Sequence, residues 1–554
     1  MSVILAFLRR PLKAIDERIG IEAFKLGIVL ATVYFVQGMG GLSNIPLLFY
    51  FKDVLHFNEA QMQYFSAVTG IAWLVKPLFG FISDRFPIFG YRRKTYMVMM
   101  ATLAALSWWG LAWMSANGMS DYAALVLVFN LSSLGYAFVD VVCDAIMVER
   151  GQETAQETAF VNLQWFALGV AGVIAAFSGG KLQTMIKAGT LSLHWVFVIA
   201  GLIPLVTAIV AMIFVNEKRI EKQAAGLAPT SNRIGWSEIK EIATMRTFWL
   251  LTAFIFFWKY SPSFGAVFSY YNIDILKFDP MFLGAIGAID KAVFPLSIIL
   301  YAGLLKNFPG ITAKHYLYAS IAIGLIYYAL ATLFLMPEAT LNGFSIGARI
   351  LSDRETLYFA FLLACGALAG RGLKGRTGFI LMWANLILLS LHLSFWFAGI
   401  TQPGVLGYRS LSVITTIVFG YASIMAFLIP LTLAAELAPK KAEGMTYAYF
   451  MALLNISGGF LPDISGAWMF EVLKNMLTYP ETTLAFATLH SQHLGAYLVQ
   501  QSFSLLAPII GQADFLGVEA YRALILRYAL IVGVIFTLIS IPFVYLLPDK
   551  KPER

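Results

Sequence analysis

The chain has little charge for its length. Of its 554 residues only 13% are charged, whereas 59% are hydrophobic, and soluble domains carry roughly 25% charged residues. A soluble fold of this size would have too little polar surface to cover its apolar interior. The mean hydropathy of +0.75 is also too high for a chain with one membrane anchor. The composition therefore predicts an all-α polytopic membrane protein.

Residues with metal or catalytic chemistry are scarce. The two cysteines, Cys143 and Cys365, lie in apolar segments and show no disulfide or metal-ligand spacing. The six histidines stand singly, without an HExxH pair. No Gly-x-x-x-x-Gly-Lys-Ser/Thr loop is present for ATP. We therefore expect no metal, no cofactor and no enzymatic activity, and an ion gradient rather than ATP as the energy source.

The net charge of +8 raises the question of a nucleic-acid partner. The basic residues occupy loops between apolar segments and form no separate basic stripe, so we expect no nucleic-acid binding. Basic loops are typical of the cytoplasmic side of membrane proteins. The charge thus predicts orientation in a lipid bilayer.

Apolar stretches of the length that spans a bilayer, about 20 residues, recur in two sets of six. The first set forms a bundle over 24–215, the second a bundle over 247–548, and a polar linker at 216–246 separates them. The expected spans are 24–50, 62–83, 94–115, 121–148, 158–180 and 193–215, then 247–271, 281–305, 314–336, 411–436, 444–470 and 525–547.

Two further apolar pieces, 356–370 and 378–400, flank the basic sequence RGLKGR at 371–376. The first is short enough to be a re-entrant segment, but two crossings would place RGLKGR in the cytoplasm, where such a cluster belongs. We therefore expect two extra helices and both termini in the cytoplasm. The remaining segments are an amphipathic N-terminal segment (1–23), an external loop (471–520) and a cytoplasmic tail (549–554).

The sequence KPLFGFISDRFPIFGYRRK at 76–94 combines small, acidic and basic residues at a membrane edge. Gly80 would let helices approach closely, and Asp84 could bond to a helix N-terminus or to Arg92 and Arg93. Such a charge cluster can hold two helix bundles together on one side and release them, which is a gating role. The alternative is a basic stop signal that only fixes topology.

This segment resembles the Gly-x-x-x-Asp-Arg…Gly…Arg-Lys loop motif of the major facilitator superfamily, with extra residues before Gly90. Together with FVDVVCDAIMVERG (138–151) and IPLTLAAELAPKKAEGMTYAYFMALLNISGG (429–459), it resembles the folate–biopterin transporters. The resemblance does not extend to the extra pair of segments or to the loop at 471–520. It implies a major-facilitator-like fold of two six-helix bundles and a carrier of folates or pterins.

Ionisable side chains inside a membrane usually face a cavity or one another. Asp140 and Asp144 lie four residues apart, and therefore on one helical face, which suggests a proton-coupling site with Asp140 as the stronger candidate. Alternatively, both are solvated near the cytoplasmic end. Three intramembrane lysines are candidate substrate-binding residues, because each could receive an anion; alternatively, each neutralises an acid. Four aromatic residues are further candidates, because each could stack on a ring; alternatively, each only packs. The candidates are Lys76, Lys259, Lys291, Tyr34, Trp73, Trp165 and Trp258.

The sequence thus predicts a secondary active transporter, coupled to a proton gradient and working by alternating access as a monomer in the plasma (inner) membrane. The resemblance implies folate, biopterin or a related pterin as the small-molecule substrate. A carrier of a peptide, sugar fragment or other organic anion remains an alternative. A non-transporting membrane enzyme or assembly factor is the alternative from another class.

Overall fold

The computed structural model describes residues 21–154, 157–217, 219, 240, 243–308, 310–342, 353–373, 375–400, 406–421, 443–478, 494–512 and 517–547. Across these ranges the secondary structure is helical, apart from a single antiparallel bridge between Ile88 and Tyr91. Nine of the described helices are long and apolar enough to span a membrane. The expected all-α polytopic fold is confirmed. The predictions for 1–20, for most of the 216–246 linker and for the 549–554 tail lie outside the described residues.

The chain forms two compact units. Unit 1 comprises Met1–Leu47 and Thr69–Ser231, and unit 2 comprises Leu48–Val68 and Asn232–Arg554. The expected first bundle, 24–215, therefore differs from unit 1 by the segment 48–68. This segment joins unit 2 because its buried polar residues find their partners there, as described below for Lys52 and Glu59.

The helices of unit 1 follow the apolar stretches of the sequence. Small residues let them approach closely: a Cβ at Gly135 would come within 2.6 Å of the Met100 carbonyl oxygen on the neighbouring helix. In chain order from the N-terminus, the helices are α1 (Ile21–Met39), α2 (Glu59–Thr69, which belongs to unit 2 except for its last residue), α3 (Lys76–Arg85), α4 (Lys94–Ala116), α5 (Tyr122–Thr154), α6 (Glu157–Lys187) and α7 (Leu193–Phe214).

Unit 2 contains the remaining helices, which enclose an apolar core. They are α8 (Arg246–Lys259), α9 (Gly265–Asp274), α10 (Pro280–Asn307), α11 (Ala313–Ala331), α12 (Asp353–Gly372), α13 (Gly375–Phe397), a helix at 408–421, α14 (Glu443–Asn455), α15 (Leu461–Thr478), α16 (Leu494–Ile510) and α17 (Val518–Ile539).

The expected span 247–271 is not one continuous helix. It is interrupted between α8 and α9, where Pro262 follows Ser261 and a proline cannot donate the backbone bond that a helix interior requires. Gly466 of α15 packs directly on the Ser263 backbone at this break, in space that a Cβ would occupy. Backbone of this kind is tolerated at membrane depth where it is buried in protein or lines a cavity.

The two extra helices are present as the hairpin of α12 and α13. Gly375, with φ of +81°, begins the second helix after the turn, a conformation that favours glycine. Arg376 Nε donates to the Asn307 carbonyl oxygen at 3.2 Å, so the turn lies beside the end of α10. Helix α13 is among the nine candidate spans and α12 is not, so two full crossings stay a prediction.

The segment 471–520, expected to be an external loop, is largely helical where it is described. Helix α15 continues to Thr478, and α16 fills Leu494–Ile510. Its residues Val499, Phe503 and Ile510 are buried in the core of unit 2. The apolar period of the helix buries one face, which explains why this stretch is hydrophobic.

Candidate functional site

A partly buried pair between a lysine and an acid joins two helices of unit 1. Lys76, at the start of α3, places Nζ 2.6 Å from Asp140 Oδ2 on α5. The Asp140 side chain is only 5% exposed and that of Lys76 27%. Gln37 Nε2 on α1 also donates to Asp140 Oδ1, at 3.3 Å. Asp140 is therefore held as one half of an ion pair.

Asp144 lies one turn further along α5 and has different partners. The Tyr34 hydroxyl donates to Asp144 Oδ1 at 2.7 Å, and Gln164 Nε2 donates to the same oxygen at 3.3 Å. Among the described residues no lysine or arginine lies within salt-bridge distance of it. The cluster of Lys76, Asp140 and Asp144 thus contains two carboxylates and one cation, and the cation contacts Asp140.

Two indole rings accompany the cluster. Lys76 Nζ lies 4.6 Å from the centroid of the Trp73 ring, which is cation–π distance. Trp165 packs edge-on against Tyr34, with ring centroids 6.2 Å apart. The structure therefore brings six of the predicted residues together in unit 1: Tyr34, Trp73, Lys76, Asp140, Asp144 and Trp165. The sequence interpretation missed Gln37, although it lies three residues after Tyr34 and so on the same face of α1.

A second charge cluster in unit 1 is centred on Arg93, whose side chain is 6% exposed. Its guanidinium contacts Asp84 and Glu149, each at 2.7 Å, and donates to Ser83 Oγ at 2.7 Å. These contacts join the end of α3, the start of α4 and the cytoplasmic end predicted for α5. Asp84 therefore pairs with one of the arginines that the sequence suggested.

The start of α4 is capped by a distant carboxylate. Glu217 accepts backbone N–H groups from Arg92 at 2.7 Å, from Arg93 at 3.0 Å and from Lys94 at 2.9 Å. Helix N-termini leave such donors unpaired and favour negative charge. Arg92 thus takes part through its backbone. No local sequence pattern points to Glu217, which lies more than 120 residues away.

The expected role of Gly80 is not supported. A Cβ at Gly80 would meet Val141 Cγ1 at 3.6 Å, an ordinary van der Waals contact. The helices around it would accommodate an alanine, so close approach does not depend on this glycine. That requirement is met at Gly135 instead, where the neighbouring backbone is only 2.6 Å from the Cβ position.

The remaining predicted residues belong to unit 2. Trp258 stacks on Phe254 with ring centroids 6.2 Å apart, which is a packing role. Lys259 ends α8, and among the described residues no ion pair is formed by it. Lys291 Nζ contacts Asp290 Oδ2 at 3.0 Å. The two residues are helical neighbours, and the long lysine side chain reaches the carboxylate.

Unit 2 also contains a network of buried ions that the sequence did not reveal. Arg522 on α17 contacts Glu59 at 2.5 Å and Asp274 at 2.9 Å, and Lys52 contacts Asp274 at 2.7 Å. The Tyr270 hydroxyl donates to the Phe57 carbonyl oxygen nearby. These bonds hold segment 48–68 within unit 2.

The helical architecture and the intramembrane ions define the class: a polytopic membrane protein with a major-facilitator-type fold. A solved bacterial homologue of the human lysosomal transporter Spinster matches 95% of each chain at a TM-score of 0.52 and 15% identity. The nucleoside transporter NupG matches 94% of this chain and 98% of its own at 0.52 and 14% identity. At these identities the likeness shows the fold alone, and it confirms the expected fold class.

The model of the BT1 family matches residues 37–330, more than half of the sequence, and the chain belongs to this family. The folate-biopterin transporter of Synechocystis sp. is 32% identical over 285 residues, which are 51% of this chain and 55% of that protein. Folate transporter 2 of Plasmodium falciparum is 26% identical over 287 residues, 50% and 58% of the two chains. The chain spans about half the length of these relatives. Both are named as transporters, in agreement with the expectation of a carrier rather than an enzyme.

Proposed function

We propose that this chain is a secondary active transporter that carries a folate, biopterin or related pterin across its membrane by alternating access, driven by a proton gradient. The observation that carries the proposal is the uneven charge of the cluster in unit 1. Lys76 neutralises Asp140, whereas the partners of Asp144 among the described residues are a hydroxyl and an amide.

This arrangement supports proton coupling because the cluster changes its net charge with one proton. With both carboxylates ionised and Lys76 protonated, the cluster carries one negative charge and repels an anion. A proton on Asp144 removes that charge, so an anionic group can approach Lys76. Binding of the proton and of the anion then favour each other, and this mutual effect is the thermodynamic requirement for symport.

The same arrangement moves our proposal for the proton-carrying residue from Asp140 to Asp144. The ionised form of a carboxylate at membrane depth is disfavoured unless a cation reaches it. Lys76 is that cation, at 2.6 Å. Carboxylates inside a membrane are costly without such a partner, so the proton is better assigned to Asp144, whose contacts are neutral donors.

The substrate class rests on the relatives and on side-chain chemistry. The curated relatives are named for folate and biopterin. Lys76 offers a cation for the anionic tail of a folate, and the indoles of Trp73 and Trp165 offer flat apolar surfaces. Other organic anions would satisfy the lysine alone, so they form the comparison set in the test.

We further propose that the chain works as a monomer in the plasma (inner) membrane with both termini in the cytoplasm. The basic turn of the α12–α13 hairpin lies beside the end of α10. Its charge favours the cytoplasmic face, and this placement supports the proposed orientation.

Uptake by sealed vesicles that contain the purified protein tests the proposed function. Labelled folate, biopterin and an unrelated organic anion would be offered with and without an inward proton gradient. We expect accumulation of a pterin or folate above equilibrium only with the gradient, and abolition of it by a protonophore. Equal uptake with and without a gradient would contradict proton coupling, and uptake of the unrelated anion alone would contradict the substrate class.

A further inference from the structure

Unit 2 contains a cavity of about 740 Å³, lined entirely by residues of that unit. Its volume falls within the range of ligand pockets, about 300–1,000 Å³. Ser261 and Pro262, at the break between α8 and α9, form part of its wall. In membrane carriers, interrupted helices are typical of substrate sites because the irregular backbone needs a cavity to face.

Seven aromatic residues lie among the described residues of the cavity wall. Tyr327 and Phe419 meet edge to face, with ring centroids 4.4 Å apart, and Phe268 and Phe334 do so at 5.8 Å. Rings of this kind offer stacking and edge contacts to a planar heterocycle. The shape and lining therefore favour a flat aromatic ligand.

Of the described residues that line the cavity, Asp290 is the one carboxylate. It lies ten residues after the start of α10 at Pro280, a depth at which an acid facing lipid would be costly. Its Oδ2 accepts from Lys291 at 3.0 Å, so the pair has no net charge. The structure shows no donor to Oδ1 among the described residues, which leaves this oxygen to accept from a ligand.

Asn272 supplies a second acceptor in the same wall. Its side-chain oxygen is buried and has no hydrogen-bond donor among the described residues. Buried polar atoms in native proteins are normally paired, and an exception calls for a missing donor. Among the described residues the wall thus presents these two acceptors beside hydroxyl groups, of which those of Ser412 and Thr415 donate to carbonyl oxygens of their own helix. The described lining carries no uncompensated charge, so it offers no charged partner to a cation or an anion, whereas a neutral ring edge with N–H groups matches the two acceptors.

We propose that this cavity binds the heterocyclic ring of the solute, and that an amino-bearing edge of the ring donates hydrogen bonds to Asp290 and Asn272. The inference rests on the proposed transport of a pterin and names the part of unit 2 that recognises it. A pterin has adjacent N–H donors at N3 and at the 2-amino group, which match a carboxylate that accepts two bonds. In lumazine, the 2,4-dioxo analogue, two carbonyl oxygens flank the N3–H. A carbonyl oxygen then faces the carboxylate where the pterin has its amino group, and the two oxygens repel each other.

The test compares pterin and lumazine on the full chain in two ways: dissociation constants by calorimetry in detergent, and uptake into vesicles. Sites built to pair with a polar group discriminate strongly against analogues that lack it. We expect the wild type to bind pterin at least about tenfold more tightly than lumazine. Asp290→Asn should bring that ratio close to one, because an amide has one donor and one acceptor. Asp121→Asn, which removes an exposed carboxylate of unit 1, is the matched control and should keep the wild-type ratio.

Each outcome decides between the inference and the proposed function. A pterin-to-lumazine ratio that is the same in the wild type and in a folded Asp290→Asn variant would overturn the inference. If Asp290→Asn does not fold, Asn272→Leu replaces it, and the ratio should again fall. Absence of proton-driven uptake of either ring by the wild type would overturn the proposed function, and the binding ratios would still decide whether the cavity recognises the amino edge.

Discussion

The Arg93 cluster offers a sharp test of gating, since one buried side chain connects several partners. Arg93→Gln would remove the guanidinium that contacts Ser83, Asp84 and Glu149 at 2.7 Å. Asp84→Asn would remove only one charge, and the asparagine side-chain oxygen can still accept from Arg93. The two variants therefore differ in how much of the cluster they disrupt.

The exposure of the partners sets the size of the effect. The Asp84 and Glu149 side chains are 55% and 44% exposed, so each pair contributes at most about 1 kcal/mol. The buried bond to Ser83 from a charged donor adds about 1.5–3 kcal/mol. Asp84→Asn should thus shift the balance between conformations by about fivefold at most, and Arg93→Gln by about twelvefold or more, since about 1.4 kcal/mol is a factor of ten.

The assay is the rate of solute exchange between equal pools across vesicles, which depends on alternation and needs no gradient. Both variants should elute as folded protein from a sizing column, and Arg93→Gln should change the exchange rate far more than Asp84→Asn. Arg93→Lys is the matched variant, since it keeps the charge but loses the forked geometry, and its rate should fall in between. A folded Asp84→Asn that changes the exchange rate as much as Arg93→Gln, or more, would refute the assignment of Arg93 as the centre of the cluster.

Three further predictions follow from single contacts. Glu217→Gln should lower the unfolding free energy by about 0.5–2 kcal/mol, because it weakens the cap of α4, and thermal unfolding of the purified protein would show no change if the cap were dispensable. Burial alone would raise the pKa of Asp279, but the N–H of Phe282 and the Arg409 guanidinium lower the pKa below its usual value. The ionised Asp279 should therefore stabilise the fold above about pH 4, and this stabilisation should disappear as the pH falls through the lowered pKa. The melting temperatures of the wild type and Asp279→Asn should accordingly converge in acid. A tag within 371–376 should not react with impermeant reagents added from outside. Labelling of the tag would contradict the prediction that two extra helices cross the membrane.

Much of the fold could be predicted because a bilayer constrains length and polarity. Apolar stretches marked the helices, and the i, i+4 spacing of Asp140 and Asp144 placed both on one face of α5. The motif residues at 76–94 supported the family, which the match over 37–330 confirms. These features depend on local sequence alone.

Features that depend on distant partners could not be predicted in this way. Lys76 and Asp140 are 64 residues apart, and nothing local pairs them. Sequence position alone places segment 48–68 in the first bundle. Its partner Arg522 lies more than 450 residues away, so no local pattern indicates the contact. The sequence interpretation treats 247–271 as one span, although Pro262 is a local signal for an interrupted helix. Sequence periodicity gives helices and faces, whereas pairing across helices requires the three-dimensional arrangement.

The central claim is that the proton bound by Asp144 couples transport to the gradient, and Asp144→Asn tests it most directly. The amide resembles the protonated acid in shape but cannot release a proton. In vesicles with an inward proton gradient, the variant should exchange labelled pterin between equal pools while it fails to accumulate pterin above equilibrium. Accumulation by Asp144→Asn at the wild-type level, with unchanged dependence on pH, would contradict the account.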